Sequence, residues 1–142
     1  MKINPTTNDS LVLRTDFSDE NAWQKVCKLI TTPQTGFGFV AQVEFYNDVV
    51  FSQATVQQLI ASQPTNRNHW FLLAVDNETI THPDNPVLCI DLLKNKGATF
   101  RVMASQVVTI ESNLAAQNMD FAAFAKAVDA DGIFRGYQEV DS

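Results

Sequence analysis

Several features that mark membrane-spanning and secreted proteins are missing from the sequence. No apolar run reaches the roughly 20 residues that a transmembrane helix needs. Residues 1–9 form a polar lead-in without the apolar core of a signal peptide. We therefore expect a cytoplasmic protein that does not cross a membrane.

The motifs of common enzyme classes are also missing. The chain has 5 glycines, and Gly36-Phe37-Gly38 lacks the further glycine of a dinucleotide-binding loop. No Gly-x-Ser-x-Gly nucleophile elbow is present. His69 and His82 lack the spacing of a metal-binding helix such as His-Glu-x-x-His. These absences assign no catalytic residue, metal or cofactor and favour a protein without chemistry of its own.

One acidic turn, residues 129–132, invites comparison with a calcium-binding loop. If Gly132 were the central glycine of an EF-hand, the first and last ligand positions would be Ala127 and Gln138. Neither is a carboxylate. The pattern is therefore typical of a helix end followed by a turn.

The two cysteines, Cys27 and Cys89, each lie in an apolar pattern, one helical and one extended. Thiols in such positions are commonly buried and reduced in cytoplasmic proteins. Spacing alone does not exclude a disulfide between them.

The chain is acidic, with a formal net charge of -6 and an isoelectric point near 4.7. This balance disfavours nucleic acid, whose phosphates need a basic surface. It suits a basic protein partner, although a modest negative charge also serves ordinary solubility.

Hydrophobic periodicity predicts alternating strands and helices in a single domain over residues 10–142. Apolar or alternating runs predict strands at 10–15, 39–45, 70–75, 87–92 and 99–103, the last two as a hairpin. Helical stripes lie at 19–31, with Ser18 as its N-cap, at 55–61 and from 105 to about 117. This order predicts an α/β fold with a mixed, partly parallel sheet of about five strands, the first strand central, and helices packed on it.

The last element is predicted to be a helix that closes the core. Asp120 is a good N-cap, and Phe121, Phe124 and Val128 recur on one face. Gly132 is predicted to end the helix with a positive φ.

Four segments carry a resemblance to a known family. They are Thr15-Asp16-Phe17-Ser18-Asp19, Thr99-Phe100-Arg101-Val102, Asn118-Met119-Asp120-Phe121 and Asp131-Gly132-Ile133-Phe134-Arg135-Gly136. In this order and spacing the chain resembles an uncharacterised bacterial domain-of-unknown-function family of small single-domain proteins. The resemblance spans nearly the whole chain and implies no activity.

Carboxylates follow several predicted strands: Asp16, Glu44, Asp76 and Asp91. Because ligands of open α/β sheets bind at the carboxyl ends of strands, such carboxylates could hold magnesium in an enzyme or small-ligand binder. The competing interpretation is that they cap the following helices or turns. Asp91 lies at the opposite edge if its strand is antiparallel. Arginines suited to pair with these carboxylates are Arg14, Arg101 and Arg135.

The functional hypothesis favoured by composition is a non-catalytic protein-binding module, of the immunity type that neutralises a bacterial toxin. Its partner would be basic, and its binding anchors would be aromatic residues in loops, with Tyr46, Phe51 and Tyr137 as candidates. Phe51 also fits the core. The magnesium-dependent enzyme is the alternative.

Overall fold

The computed structural model describes residues 3, 5–33, 40–64, 69–116 and 120–136. Its strands are β1 (Ser10–Arg14), β2 (Val43–Tyr46), β3 (Phe71–Val75), β4 (Pro86–Asp91), β5 (Thr99–Met103) and β6 (Ile133–Phe134). Its α-helices are α1 (Glu20–Thr31), α2 (Val56–Ala61), α3 (Asn77–Thr81), α4 (Val107–Ala115) and α5 (Phe121–Lys126). Two 3-10 helices, Val49–Phe51 and Ala104–Gln106, precede α2 and α4.

All six strands form one mixed sheet in the order β2-β1-β3-β4-β5-β6. Strand β4 runs antiparallel to both β3 and β5, and the other neighbouring pairs are parallel. The α/β class and the β4–β5 hairpin are confirmed. The sheet has six strands and not five, because the two-residue β6 is too short to leave a periodic pattern. Strand β1, expected to be central, is an interior strand that pairs with β2 and β3, but it lies second from one edge and not in the middle of the sheet.

The sheet has an apolar core on each face, because β1, β3 and β4 are apolar on both sides. The larger core contains Val12, Leu73 and Val102 and is covered by α1, α3, α4 and α5. The smaller core contains Leu11, Leu72 and Ile90 and is covered by the 3-10 helix Val49–Phe51 and by α2. No helix in the described ranges is long and apolar enough to cross a membrane.

The first helix begins one residue later than the sequence predicts. Its N-cap is Asp19, whose carboxylate accepts a hydrogen bond from the Ala22 N–H at 3.0 Å. The predicted cap, Ser18, instead donates its hydroxyl to Asp16. Both residues are good caps by type, and Ser18 is recruited by the carboxylate two residues before it.

The second strand is also shorter than predicted. It comprises Val43–Tyr46, and residues 40–42 precede it as irregular structure. The Gln42 N–H donates to the carboxylate of Glu111 at 2.7 Å, which ties this segment to α4. Residue 39, the predicted first residue, lies outside the described residues.

The closing helix is confirmed in position but is much shorter than predicted. Asp120 caps it by accepting from the Ala123 N–H at 3.0 Å, and Phe124 is fully buried on its inner face. The helix ends at Lys126 with Ala127 as its C-cap. Gly132 has the expected positive φ, 82°, but it lies in the turn before β6, where its N–H donates to the Asp129 carbonyl.

Both cysteines are free thiols, Cys27 half-buried and Cys89 fully buried. Burial raises the pKa of Cys27 to about 11, and burial raises the pKa of Cys89 as well. Both thiols are therefore protonated at neutral pH and are poor nucleophiles.

A buried carboxylate joins α4 to the beginnings of β1 and β2. Glu111 is 4% exposed, and it accepts hydrogen bonds from the Ser10 hydroxyl at 3.1 Å and from the Gln42 N–H. Burial raises the pKa of Glu111 above its usual value despite these two bonds. A charged carboxylate at this buried position therefore costs folding free energy.

We expect Glu111→Gln to raise the free energy of unfolding at pH 7. Glutamine can accept from the Gln42 N–H and donate to the Ser10 hydroxyl, so the contacts survive without the charge. Between the unfolded and folded pKa of Glu111 the folded state binds more protons, so wild-type stability falls as pH rises through this window. The gain from the substitution should thus vanish below about pH 4.5, the unfolded value. Urea unfolding of the wild type and of Glu111→Gln at pH 7 and at pH 4 measures the gain in stability and its loss at low pH.

The matched control is Glu44→Gln. Burial acts to raise the pKa of Glu44, but its carboxylate accepts from the Thr6 N–H, the Thr7 N–H and the Thr7 hydroxyl, and these bonds lower the pKa below its usual value. In Glu44→Gln, one of the two accepting oxygens becomes an NH₂ group, which faces a hydrogen-bond donor and cannot accept from it. This variant should therefore lose stability at pH 7. A loss of stability at pH 7 in Glu111→Gln as well would contradict the account of the buried charge.

Candidate functional site

Most strands of the sheet end on the same side, and this side is an edge that runs across the strands. Strands β1, β2, β3, β5 and β6 share one direction, so their carboxyl ends and the beginning of β4 meet at the same edge. We call this edge, with the segments that flank it, the carboxyl edge. Ligands of open α/β sheets bind at such edges.

The first carboxylate at this edge is Asp16, just beyond β1. Its Oδ1 accepts from the Ser18 N–H at 2.9 Å and from the Ser18 hydroxyl, and its Oδ2 accepts from the Asn77 amide at 3.1 Å. Burial alone would raise the pKa of Asp16, but these hydrogen bonds and the charge of Arg14 lower it below its usual value. Asp16 is therefore ionised at neutral pH and ties the turn after β1 to the start of α3.

The second carboxylate is Asp76, which follows β3 and caps α3. It accepts from the Thr79 N–H at 3.2 Å and receives two hydrogen bonds from the guanidinium of Arg101, at 3.0 and 2.7 Å. Glu78 lies 2.6 Å from the Nε of the same arginine. Burial acts to raise the pKa of Asp76, but Arg101 outweighs it and lowers the pKa. The predicted pairing of an arginine with this carboxylate is confirmed.

A second arginine, Arg14, is buried at the end of β1, where its side chain is 3% exposed. It donates to Glu20 at 2.8 Å, to the Asn47 side chain at 3.3 Å and to the Asp16 carbonyl at 3.1 Å. Its guanidinium also lies 4.5 Å from the centre of the Phe17 ring, within the range of cation–π attraction. Arg14 thus fixes the turn after β1 through the backbone of Asp16 and not through its carboxylate.

A third arginine, Arg135, follows β6 and binds three carboxylates. It lies 2.9 Å from Asp84, 2.8 Å from Asp129 and 2.6 Å from Asp131. The hydrogen bonds that Arg135 donates, to Asp131 first and then to Asp129 and Asp84, raise its pKa. The Asp129–Asp131 pair that resembles a calcium loop is therefore occupied by this guanidinium.

The three carboxylates predicted to share a magnesium ion lie in two separate places. Asp16 and Asp76 are joined through Asn77, the residue after Asp76. Glu44 pairs in register with Leu11, five residues before Asp16 along the sheet, which corresponds to roughly 16 Å. Asp91 is at the opposite edge, where its oxygens accept from the N–H groups of Leu93 and Asn95. The residues that the structure describes contain no group of three or more His, Cys, Asp or Glu side chains placed to hold a metal.

The aromatic anchors predicted from the sequence are largely inside the protein. Phe51 is fully buried, and Tyr46 is half-buried with its ring 5.6 Å from that of Phe51. Tyr137 lies outside the described residues. The exposed apolar residues near this edge are instead Val49 and Val50, 70% and 49% exposed. The sequence signal for them is two adjacent apolar residues directly after the Asp48 turn.

Negative charge is concentrated at the carboxyl edge. The described segments that flank it carry nine carboxylates and three arginines, a surplus of six negative charges, and the whole chain has a formal charge of -6. These carboxylates are Asp16, Asp19, Glu20, Asp48, Asp76, Glu78, Asp84, Asp129 and Asp131. Each arginine forms an ion pair with at least one carboxylate, which holds these side chains in place. The carboxylates in excess give the edge a fixed negative potential.

Comparison with known proteins gives a family and no activity. The sequence model of a family described as Domain of unknown function (DUF6924) matches residues 9–137. No curated protein matches the chain. Three of the four segments that carry the sequence resemblance, those with Asp16, Arg101 and Arg135, meet at the carboxyl edge.

Proposed function

The chain belongs to the family described as Domain of unknown function (DUF6924), and we propose that it is a non-catalytic module that binds a basic protein through its carboxyl edge. The observation that carries the proposal is the surplus of six negative charges at this edge. Such a field attracts a cationic surface and raises the rate of encounter.

Two exposed valines supply the apolar centre that a specific interface needs. Val49 and Val50 directly follow Asp48, and Asn47, one residue earlier, accepts from the buried Arg14. Protein interfaces combine an apolar centre with a polar rim, and a few central side chains contribute most of the affinity. The valines beside the acidic edge match this arrangement.

The internal pairing of the edge supports binding without a large rearrangement. Arg14, Arg101 and Arg135 hold the surrounding carboxylates in place, so less side-chain freedom is lost when a partner binds. The proposed partner is a toxin with a cationic active cleft, and the protein acts in the cytoplasm by occupying that cleft. An immunity role of this type needs tight binding and no reaction.

Affinity capture from the native host, with the protein as bait, tests the proposal. We expect a basic protein to be recovered at one-to-one stoichiometry and to lose its own activity when bound. The double variant Val49→Ser, Val50→Ser should weaken the captured complex by about tenfold or more, because it removes the apolar centre.

The control variant is Leu93→Ser, which removes a third exposed apolar residue, 51% exposed and at the opposite edge. It should leave the complex unchanged. Equal loss in both variants would place the interface elsewhere. Turnover of a small molecule by the isolated protein, with no partner recovered, would favour an enzyme.

A further inference from the structure

The edge opposite the proposed interface contains an apolar pocket of about 500 Å³. It lies between the β4–β5 hairpin loop and helix α5, and its apolar wall includes Trp70, Leu93, Leu114 and Phe121. The volume falls within the range of about 300–1,000 Å³ that is usual for small-molecule sites. Because this pocket lies at the other end of the sheet, it is independent of the acidic carboxyl edge.

The carboxylates that line the pocket already accept hydrogen bonds. The two oxygens of Asp91 accept from the N–H groups of Leu93 and Asn95, at 2.9 and 3.0 Å. Those of Asp120 accept from the Ala123 N–H at 3.0 Å and from Lys94 at 3.3 Å. Each of these four oxygens therefore already has one donor from the protein.

Donors, in contrast, remain available in the pocket. Lys94 carries three N–H groups, and one of them is used by Asp120 in the described structure. The indole N–H of Trp70 has no acceptor among the described residues. A bound molecule thus finds an apolar wall and, at Lys94, a cationic donor with further N–H groups to give.

From this combination we infer that the pocket binds a small amphipathic carboxylic acid. The apolar part of the acid packs against Trp70, Leu114 and Phe121, and the carboxylate accepts from Lys94. The Lys94–Asp120 ion pair is exposed, with side chains 70% and 50% accessible, so Lys94 turns to the ligand at little cost.

Calorimetric titration with dodecanoate, below its micelle concentration, tests the inference. We expect saturable binding of one molecule per chain, with a change in Trp70 fluorescence. Dodecan-1-ol, which has the same chain without the charge, should bind about tenfold more weakly, as expected for the loss of one charged hydrogen bond. Dodecylamine should bind more weakly still, because Lys94 repels it.

Three variants test whether dodecanoate binds in this pocket. Lys94→Met should weaken dodecanoate binding about tenfold and leave dodecan-1-ol unchanged. Lys96→Met is the matched control, since Lys96 lies in the same hairpin loop but lines a different hollow, and it should change neither. Ala122→Phe should abolish binding of both dodecanoate and dodecan-1-ol, because the larger side chain fills the pocket. Ala122 is exposed on α5, so this variant should retain the wild-type melting temperature.

Absence of saturable dodecanoate binding to the folded wild type would overturn the inference. Tighter binding of dodecylamine than of dodecanoate would overturn the assigned ligand class. Unchanged dodecanoate binding in both Lys94→Met and Ala122→Phe would also overturn it, because the fatty acid would then bind elsewhere. None of these outcomes bears on the partner proposed for the carboxyl edge.

Discussion

Phe124→Ala should lower the free energy of unfolding by about 3–5 kcal/mol, the range for truncating a fully buried phenylalanine. Phe124 has no exposed surface and is the single fully buried side chain of α5. Its ring lies 5.4 Å from that of Phe134 on β6 and 6.5 Å from that of Phe100 on β5. The substitution would therefore leave a cavity where three elements meet.

Urea unfolding of the variant measures the loss, and Phe121→Ala provides the control. Phe121 lies on the same helix with its ring 4.8 Å from Phe100, but it is half-buried and should lose clearly less. A loss below about 1 kcal/mol for Phe124→Ala would contradict the role of α5 as the helix that closes the core.

The strands of the fold were predictable where burial on both faces produced continuous apolar runs. This applies to β3 and β4, whose residues are almost all buried. The length of α5 was not predictable from its apolar stripe, because the stripe continues through Val128 while the backbone leaves the helix after Lys126. There the Asp129 N–H donates to the Ile133 carbonyl, and this turn leads into β6. A glycine with positive φ marks a turn, and the sequence does not say whether a helix reaches it.

The carboxyl edge was predictable in part. Because parallel strands end together, Asp16 and Asp76 were placed at the same end of the sheet, and in the structure Asn77 links them. Arg101, one of three arginines proposed to pair with these carboxylates, pairs with Asp76. The position of Glu44 depends on the register of β2 against β1, which alternation alone does not fix. The exposure of Val49 and Val50 depends on which side of the 3-10 helix faces α2, a tertiary property that two adjacent valines do not reveal.

The second large effect is expected on the rate of partner binding. The double variant Glu78→Gln, Asp129→Asn removes two negative charges from the carboxyl edge and should slow association several-fold at low salt. The variant should fold normally, because Arg101 retains its ion pair with Asp76, and Arg135 retains its ion pairs with Asp84 and Asp131. The dissociation rate should change much less, since the exposed carboxylates steer the partner and the apolar centre holds it.

A variant of equal charge change controls for net charge. Asp120→Asn with Glu111→Gln removes two carboxylates at or near the opposite edge, and asparagine remains a good N-cap for α5. Its association rate should stay close to that of the wild type. An equal slowing in both double variants would mean that total charge matters and the carboxyl edge does not.

The most direct test is the association rate constant of the captured partner as a function of ionic strength, measured by stopped-flow mixing. If the acidic carboxyl edge steers a basic partner, the wild-type rate should fall by about tenfold or more as salt is raised, because mobile ions screen the attraction. The Glu78→Gln, Asp129→Asn variant should show a shallower dependence. A wild-type rate that does not respond to salt would contradict the proposal that this edge recognises a basic protein.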